Sequence, residues 1–245
     1  VGVLLAFAYM DAGRCQEAIP LLAADFEAEQ KAPVRSVVGR RLVDCCLAAG
    51  NEDLALGTVQ KLRQMAPDDP EVLHLSLRVY LHSWNGAFQR LLVKAPGSYQ
   101  VRQILAESLE AQERFAEAAQ EYRHILKMEP QLPGMHYQLG RMIVRSDTSV
   151  GAEEKALAEF RRELEIQPLH AGALTEIGEI RLRRSQLAEA SRSFSEAVQL
   201  QPGSVKARVG LAKVRIAEKQ WSPALAHLEA AAIHEAFVVG GELRR

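Results

Sequence analysis

Cysteine is scarce: 245 residues contain three, Cys15, Cys45 and Cys46. An odd count with two adjacent members excludes a disulfide framework. On a helix Cys45 and Cys46 point about 100° apart, so neither a bridge nor a shared metal is natural there. All three read as small packed hydrophobes. Few cysteines fit a reducing compartment without excluding an oxidising one. A surplus of one charge is missing as well, since the formal net charge is −1. Nucleic-acid binders usually gain affinity by neutralising phosphates with a basic excess, so RNA or DNA is not an expected partner. The short basic runs Arg40-Arg41, Arg161-Arg162 and Arg181 to Arg184 have acids nearby and read as solvated helix faces. No apolar run reaches the roughly 18 residues a membrane span needs.

Catalytic signatures are absent too. The sequence holds no Gly-x-x-x-x-Gly-Lys phosphate loop, no Gly-x-Gly-x-x-Gly, no Gly-x-Ser-x-Gly elbow and no His-Glu-x-x-His. Alternation at period two, the mark of a half-buried strand, is also missing. Seven histidines are scattered, and no pair has the i, i+4 spacing that aims two imidazoles at one metal. Carboxylate pairs such as Glu153-Glu154 lie on solvent-facing helical stretches, whereas a general acid needs a dry pocket. No catalytic, cofactor-binding or metal-ligating residue is therefore assigned, and the chain is not expected to be an enzyme.

What is present is a repeat. Hydrophobic residues make up 48% and aromatics only 6%, a balance that suits closely packed helices rich in alanine and leucine. An alanine followed four residues later by a large apolar residue recurs as Ala18/Leu22, Ala55/Val59, Ala87/Leu91, Ala118/Tyr122, Ala156/Phe160, Ala190/Phe194 and Ala224/Leu228. Pro67, Pro130, Pro168 and Pro202 each follow the large residue by eight positions. The steps from Ala118 to Ala156, Ala190 and Ala224 are 38, 34 and 34 residues. An apolar helix precedes most of these alanines, with Leu139-Gly140 and Ile177-Gly178 its cleanest cases.

This pattern resembles the tetratricopeptide repeat, a helix–turn–helix unit of about 34 residues with Leu-Gly on its first helix, Ala-x3-Phe on its second and a closing proline. The resemblance implies an all-α, right-handed superhelical solenoid of antiparallel helix pairs, read here as a single solenoid over 1–245. Its approximate units are 1–35, 36–69, 70–98, 99–132, 133–170, 171–204 and 205–238. Small residues such as Gly140, Gly178, Ala156 and Ala190 belong where helices cross closely. Tyr122, Phe160 and Phe194 are expected to fill the space between hairpins. Proline ends the second helix because it lacks an amide hydrogen. Asp69-Pro70 then starts the next one, as an N-cap residue followed by proline.

Two departures stand out. The third unit, around Tyr80 to Gly86, lacks the normal pattern, and its Leu91-to-Pro96 spacing is three residues short. The turn of the fifth unit, Arg145 to Glu153, is about four residues too long. Both are expected to be local irregularities. Val1 to Met10 reads as a core helix whose beginning has been cut away, because the chain lacks an initiator methionine. The tail from Phe237 to Arg245 shows no polar capping helix, which solenoid ends require for solubility. These two features point to a fragment of a longer chain, or to an end that docks on something.

The resemblance also implies where a partner is held. In this family the inner surface is lined by the first helix of each unit, at positions flanking the small Gly/Ala site. Those positions hold Arg40 and Asp44, His74 and Arg78, Gln103 and Glu107, Tyr137 with Arg141 and Arg145, Thr175 and Glu179, and Val209 and Lys213. The carboxylate clamp of chaperone-adaptor members, a lysine followed four residues on by asparagine, occurs in no unit. Tyr137, Arg141 and Arg145 form one i, i+4, i+8 stripe suited to acidic and apolar side chains. Glu107 and Glu179 are its alternative, internal partners. The expected function is a non-catalytic scaffold binding a peptide segment or helix of a partner protein. The alternative is a structural spacer or dimerisation arm of a larger protein.

Overall fold

A computed structural model describes residues 2–29, 31–149 and 151–242, with side chains described through residue 235. Its described residues form thirteen helices and no strand. The chain divides into two compact units, Val1–Pro96 and Gly97–Arg245.

The first unit contains α1 (Gly2–Asp11), α2 (Cys15–Ala28), α3 (Ala32–Ala49), α4 (Glu52–Met65) and α5 (Pro70–Lys94). Each helix packs on the next, and α3 also touches α5. Because α3 meets α2, α4 and α5, two of its faces are covered, and both Cys45 and Cys46 are buried. Burial pushes their thiols up, to about 12 and about 11. All three cysteines are free.

The second unit runs α6 (Tyr99–Ala111), α7 (Phe115–Met128), α8 (Met135–Ser146), α9 (Ala152–Ile166), α10 (Ala171–Arg183), α11 (Leu187–Leu200), α12 (Val205–Ala217) and α13 (Trp221–Glu242). Sequential helices pack pairwise, while α10 also touches α8 and α12, so first helices meet across repeats. This is a helical repeat solenoid.

Local signals explain where the helices stop and start. The helices α4, α7, α9 and α11 each end two residues before a proline of the repeat, Pro67, Pro130, Pro168 and Pro202. Asp69 caps α5, its Oδ1 accepting from the amides of Glu71 at 2.8 Å and Val72 at 3.4 Å, and Pro70 follows it. Between first and second helices the chain turns through a left-handed residue: Gly13, Gly50, Glu113, Ser185 and Lys219 all have φ between 58° and 72°. The longer fifth-unit turn is tied down by Asp147, which accepts from the Ser149 amide at 2.8 Å and from Lys155 Nζ at 3.1 Å. The Ser149 hydrogen bonds, with Lys155, hold its carboxyl down at about 2.

The third unit departs from the expected helix pair. Residues 70–94 form one 25-residue helix, and nothing turns around Tyr80 to Gly86. The physical reason lies in the residues at the missing turn. Trp84 stacks on Phe88 at 5.2 Å, an i, i+4 pair that spans the site and favours continued helix. Gly86, the residue best able to break the helix, keeps a helical backbone, close to Glu52 at the start of α4. The side chains of the tail from Phe237 to Arg245, expected to lack a polar cap, lie outside the described residues.

Candidate functional site

The first helices present two positions, i and i+4, at the same register in successive repeats. In the first unit Arg40 and Asp44 of α3 and His74 and Arg78 of α5 line a single depression of about 320 Å³. Arg78 Nη1 donates to Asp44 Oδ1 at 3.0 Å across the two helices, and Arg40 pairs with Glu71. His74 is exposed and free of such a pair among the described residues.

In the second unit a similar depression of about 540 Å³ lies between α10 and α12, lined in part by Glu179, Val209 and Lys213. Lys213 Nζ donates to Glu179 Oε1 at 3.4 Å. The two cross-helix pairs, Asp44 with Arg78 and Glu179 with Lys213, are each 34 residues apart, one repeat length. An acid in one repeat thus meets a base in the next, which leaves each depression close to neutral.

The remaining positions are already engaged. Gln103 donates to Glu107 at 2.9 Å along α6 itself. Arg141 donates to Gln138 at 2.7 Å and to Glu110 at 2.9 Å, so its acidic partner is Glu110 and not the expected Glu107. Tyr137 packs on His170 at 4.6 Å and near Phe160 at 6.0 Å, with the Arg141 guanidinium 5.7 Å from its ring. Burial, with the Glu176 carboxylate second, pushes the Tyr137 phenol up. Arg145 lies 3.9 Å over the ring of Phe115. The stripe therefore splits: Tyr137 and Arg141 share a neighbourhood, while Arg145 covers the start of α7. Thr175 is only 3% exposed, and its hydroxyl donates to the Ala171 carbonyl at 2.8 Å, so it offers no surface to a partner. An i−4 carbonyl bond turns its one donor back into its own helix.

Sequence reasoning missed Glu163, a fully buried carboxylate on α9. Its Oε1 accepts from the Gly134 amide at 2.7 Å and its Oε2 from the Tyr137 amide at 3.2 Å. Those amides are the N-cap and N3 groups of α8, so one carboxylate from a neighbouring helix does the work of a capping box. A signal was present, because Glu163 follows Ala156 and Phe160 at core spacing.

Among the described residues no cluster of His, Cys, Asp or Glu is placed to hold a metal. No described helix is long and apolar enough to cross a membrane.

In fold, residues of this chain superpose on a crystal structure of MamA at 14% identity and TM-score 0.53, covering 63% of this chain and 88% of that one. A structure of MamA 41-end from Desulfovibrio magneticus RS-1 is similar over 82% of this chain and 94% of that one, at 18% identity and TM-score 0.47. No curated protein matches the sequence. Family models described as tetratricopeptide repeat match residues 9–78 and 181–236 in one form and 85–134 in another. With its helix pairs and its small–large register matched over most of its length, the chain belongs to the tetratricopeptide repeat family, whose arrays are scaffolds for protein–protein interaction.

Proposed function

We propose that the chain is a non-catalytic scaffold that holds extended segments of a partner protein along the first helices of each unit. The observation carrying this reading is that positions from successive repeats come together: Arg40, Asp44, His74 and Arg78 in one depression, Glu179, Val209 and Lys213 in the other. Ion pairs at these mouths are partly exposed, and pairs of that kind contribute only about 0–1 kcal/mol. A partner's charged side chain displaces either member at little cost, so the pairs act as exchangeable contacts. Peptide backbone and small apolar groups then reach Leu75 or Val209 between them.

Photo-crosslinking tests this directly. A benzoylphenylalanine at His74 or Val209 should form adducts with a second protein in native cells. The same probe at exposed second-helix positions, Gln60 or Arg192, should not. Adducts at His74 should weaken with Arg78→Glu, and those at Val209 with Lys213→Glu. Equal adducts from both sets of positions would sink the reading.

One observation favours a second reading, a dimerisation arm. Along α5, Leu73, Leu77, Tyr80 and Trp84 are 40–55% exposed. With Ala87 and Leu91 they continue an alternating spacing of four and three, the a/d seam of a coiled coil. No residue of α5 after Val79 is fully buried.

A further inference from the structure

A third depression, of about 880 Å³, lies between α7 and α9, with α8 at its base. It takes the side of α8 that carries His136, Leu139 and Ile143, spaced i, i+3, i+7. Positions 139 and 141 are about 200° apart around a helix axis. This site therefore faces away from Arg141, and is distinct from the first-helix depressions. Leu126 and Ile166 are half-buried on its walls, with Leu139 and Ile143 beneath them.

Charge at this depression is uneven. Four cations line it, Arg123, Lys127, Lys155 and Arg162, against two carboxylates, Glu159 and Glu165. Glu159 is already engaged, by His136 Nδ1 at 2.6 Å and by Arg162 at 3.1 Å. The second ring nitrogen of His136 lies 3.2 Å from the Pro130 carbonyl, so the imidazole is fixed at both ends. Lys155 is turned to Asp147 at 3.1 Å. Arg123 and Lys127, one turn apart on α7, are exposed and make no ion pair among the described residues. An apolar floor thus carries two uncommitted cations on the α7 wall, against one unpaired carboxylate, Glu165, on the α9 wall among the described residues.

We propose that this outer depression docks a segment of a partner protein that carries a large apolar side chain flanked by carboxylates. The apolar side chain reaches Leu126 and Ile166, and the carboxylates meet Arg123 and Lys127, with arginine able to fork onto one of them. Nucleic acid fits less well, because the chain as a whole carries a net charge of −1 and the floor is aliphatic apart from the His136 imidazole, which is nearly buried and held at both ends. The site needs no occupant on the first-helix face, so it stands or falls separately from that reading.

A displayed random peptide library, panned on the 245-residue chain, provides the test. Enriched peptides should combine Leu, Phe or Met with neighbouring Asp or Glu. Their binding, followed by fluorescence anisotropy, should weaken about tenfold or more when Arg123→Glu and Lys127→Glu are combined, since like charges then face each other. It should also weaken with added salt. Arg141→Glu, on the other side of α8, should leave it unchanged. The melting temperature of the double variant should stay at the wild-type value, because both side chains are exposed. Peptides that bind the double variant as tightly as the wild type would overturn the proposal. So would dependence on Arg141 in place of Arg123 and Lys127, an absence of acidic–apolar enrichment, or a preference for an oligonucleotide over every peptide.

Discussion

Phe194 is held between two glycines of successive first helices. A Cβ at Gly178 would come within 2.7 Å of its ring, and one at Gly210 within 2.4 Å. Phe160 meets one such glycine, Gly140 of its own hairpin, and Phe26 one, Gly39 of the following helix, each at 2.5 Å. The ring needs that space because a helix surface without a Cβ lets the neighbouring helix approach to the ring's own thickness. Phe194→Ala should cost about 3–5 kcal/mol by emptying the site. Gly210→Ala should cost about 1–3 kcal/mol by overfilling it. The two changes touch the same volume, so the double variant should be more stable than the sum of the single losses implies. Denaturant midpoints of the three variants check this, and strict additivity would show that the ring and the glycine are not in contact. Most of this arrangement was legible in the sequence, because Leu139-Gly140 and Ile177-Gly178 stand in phase with Ala-x3-Phe. The pairing of Phe194 with Gly210 of the following repeat was not, since it depends on how two hairpins stack.

At the scale of elements, α8 depends on α9. Gly134, its N-cap residue, has no side chain to cap with and takes a left-handed backbone, φ 85°. The buried Glu163 carboxylate supplies both acceptors that the first turn lacks, at 2.7 and 3.2 Å. A negative group at the start of a helix is also favoured by the helix dipole. Glu163→Gln leaves only one acceptor oxygen, so one buried amide loses its partner at a cost of about 1–3 kcal/mol. The prediction is a lowered denaturant midpoint with faster hydrogen exchange at the amides of Gly134 and Tyr137. Unchanged exchange at both amides would remove the cap. Residues 70–94 teach the complementary lesson. Their sequence departs from the repeat pattern, and that much was readable. Whether the departure meant a distorted turn or none was settled by the stacking of Trp84 on Phe88 and by the fit of Gly86 against Glu52.

At the scale of the whole molecule, α5 leaves one apolar side uncovered within its unit. A repeat hairpin stabilises its neighbours by covering their apolar faces, and stability is roughly a sum of such interfaces. Beyond Val79 α5 has no fully buried residue, yet Leu81 and Trp84 are 52% and 53% exposed. If the dimerisation-arm reading holds, sedimentation equilibrium of the chain should give twice the monomer mass. Leu77→Lys combined with Trp84→Lys should return it to the monomer mass with unchanged far-ultraviolet circular dichroism, because both side chains point away from the core of their unit. A wild-type monomer at every concentration would discard the arm and leave the first-helix scaffold as the reading of this protein.

The amino-acid sequence by itself determined the helical class, the repeat and most helix ends. Those signals are local: proline past a helix end, Asp69 before Pro70, and small and large residues four apart act within a turn or two of chain. Tertiary structure alone decided which charges meet. Arg141 finds Glu110 in place of Glu107, Glu163 turns inward to cap α8, and Arg123 and Lys127 remain unpaired beside an apolar floor. Three residues along a helix are only about 4.5 Å, well within the reach of an arginine. The crossing of two helices, which no local pattern encodes to that distance, therefore chooses the partner.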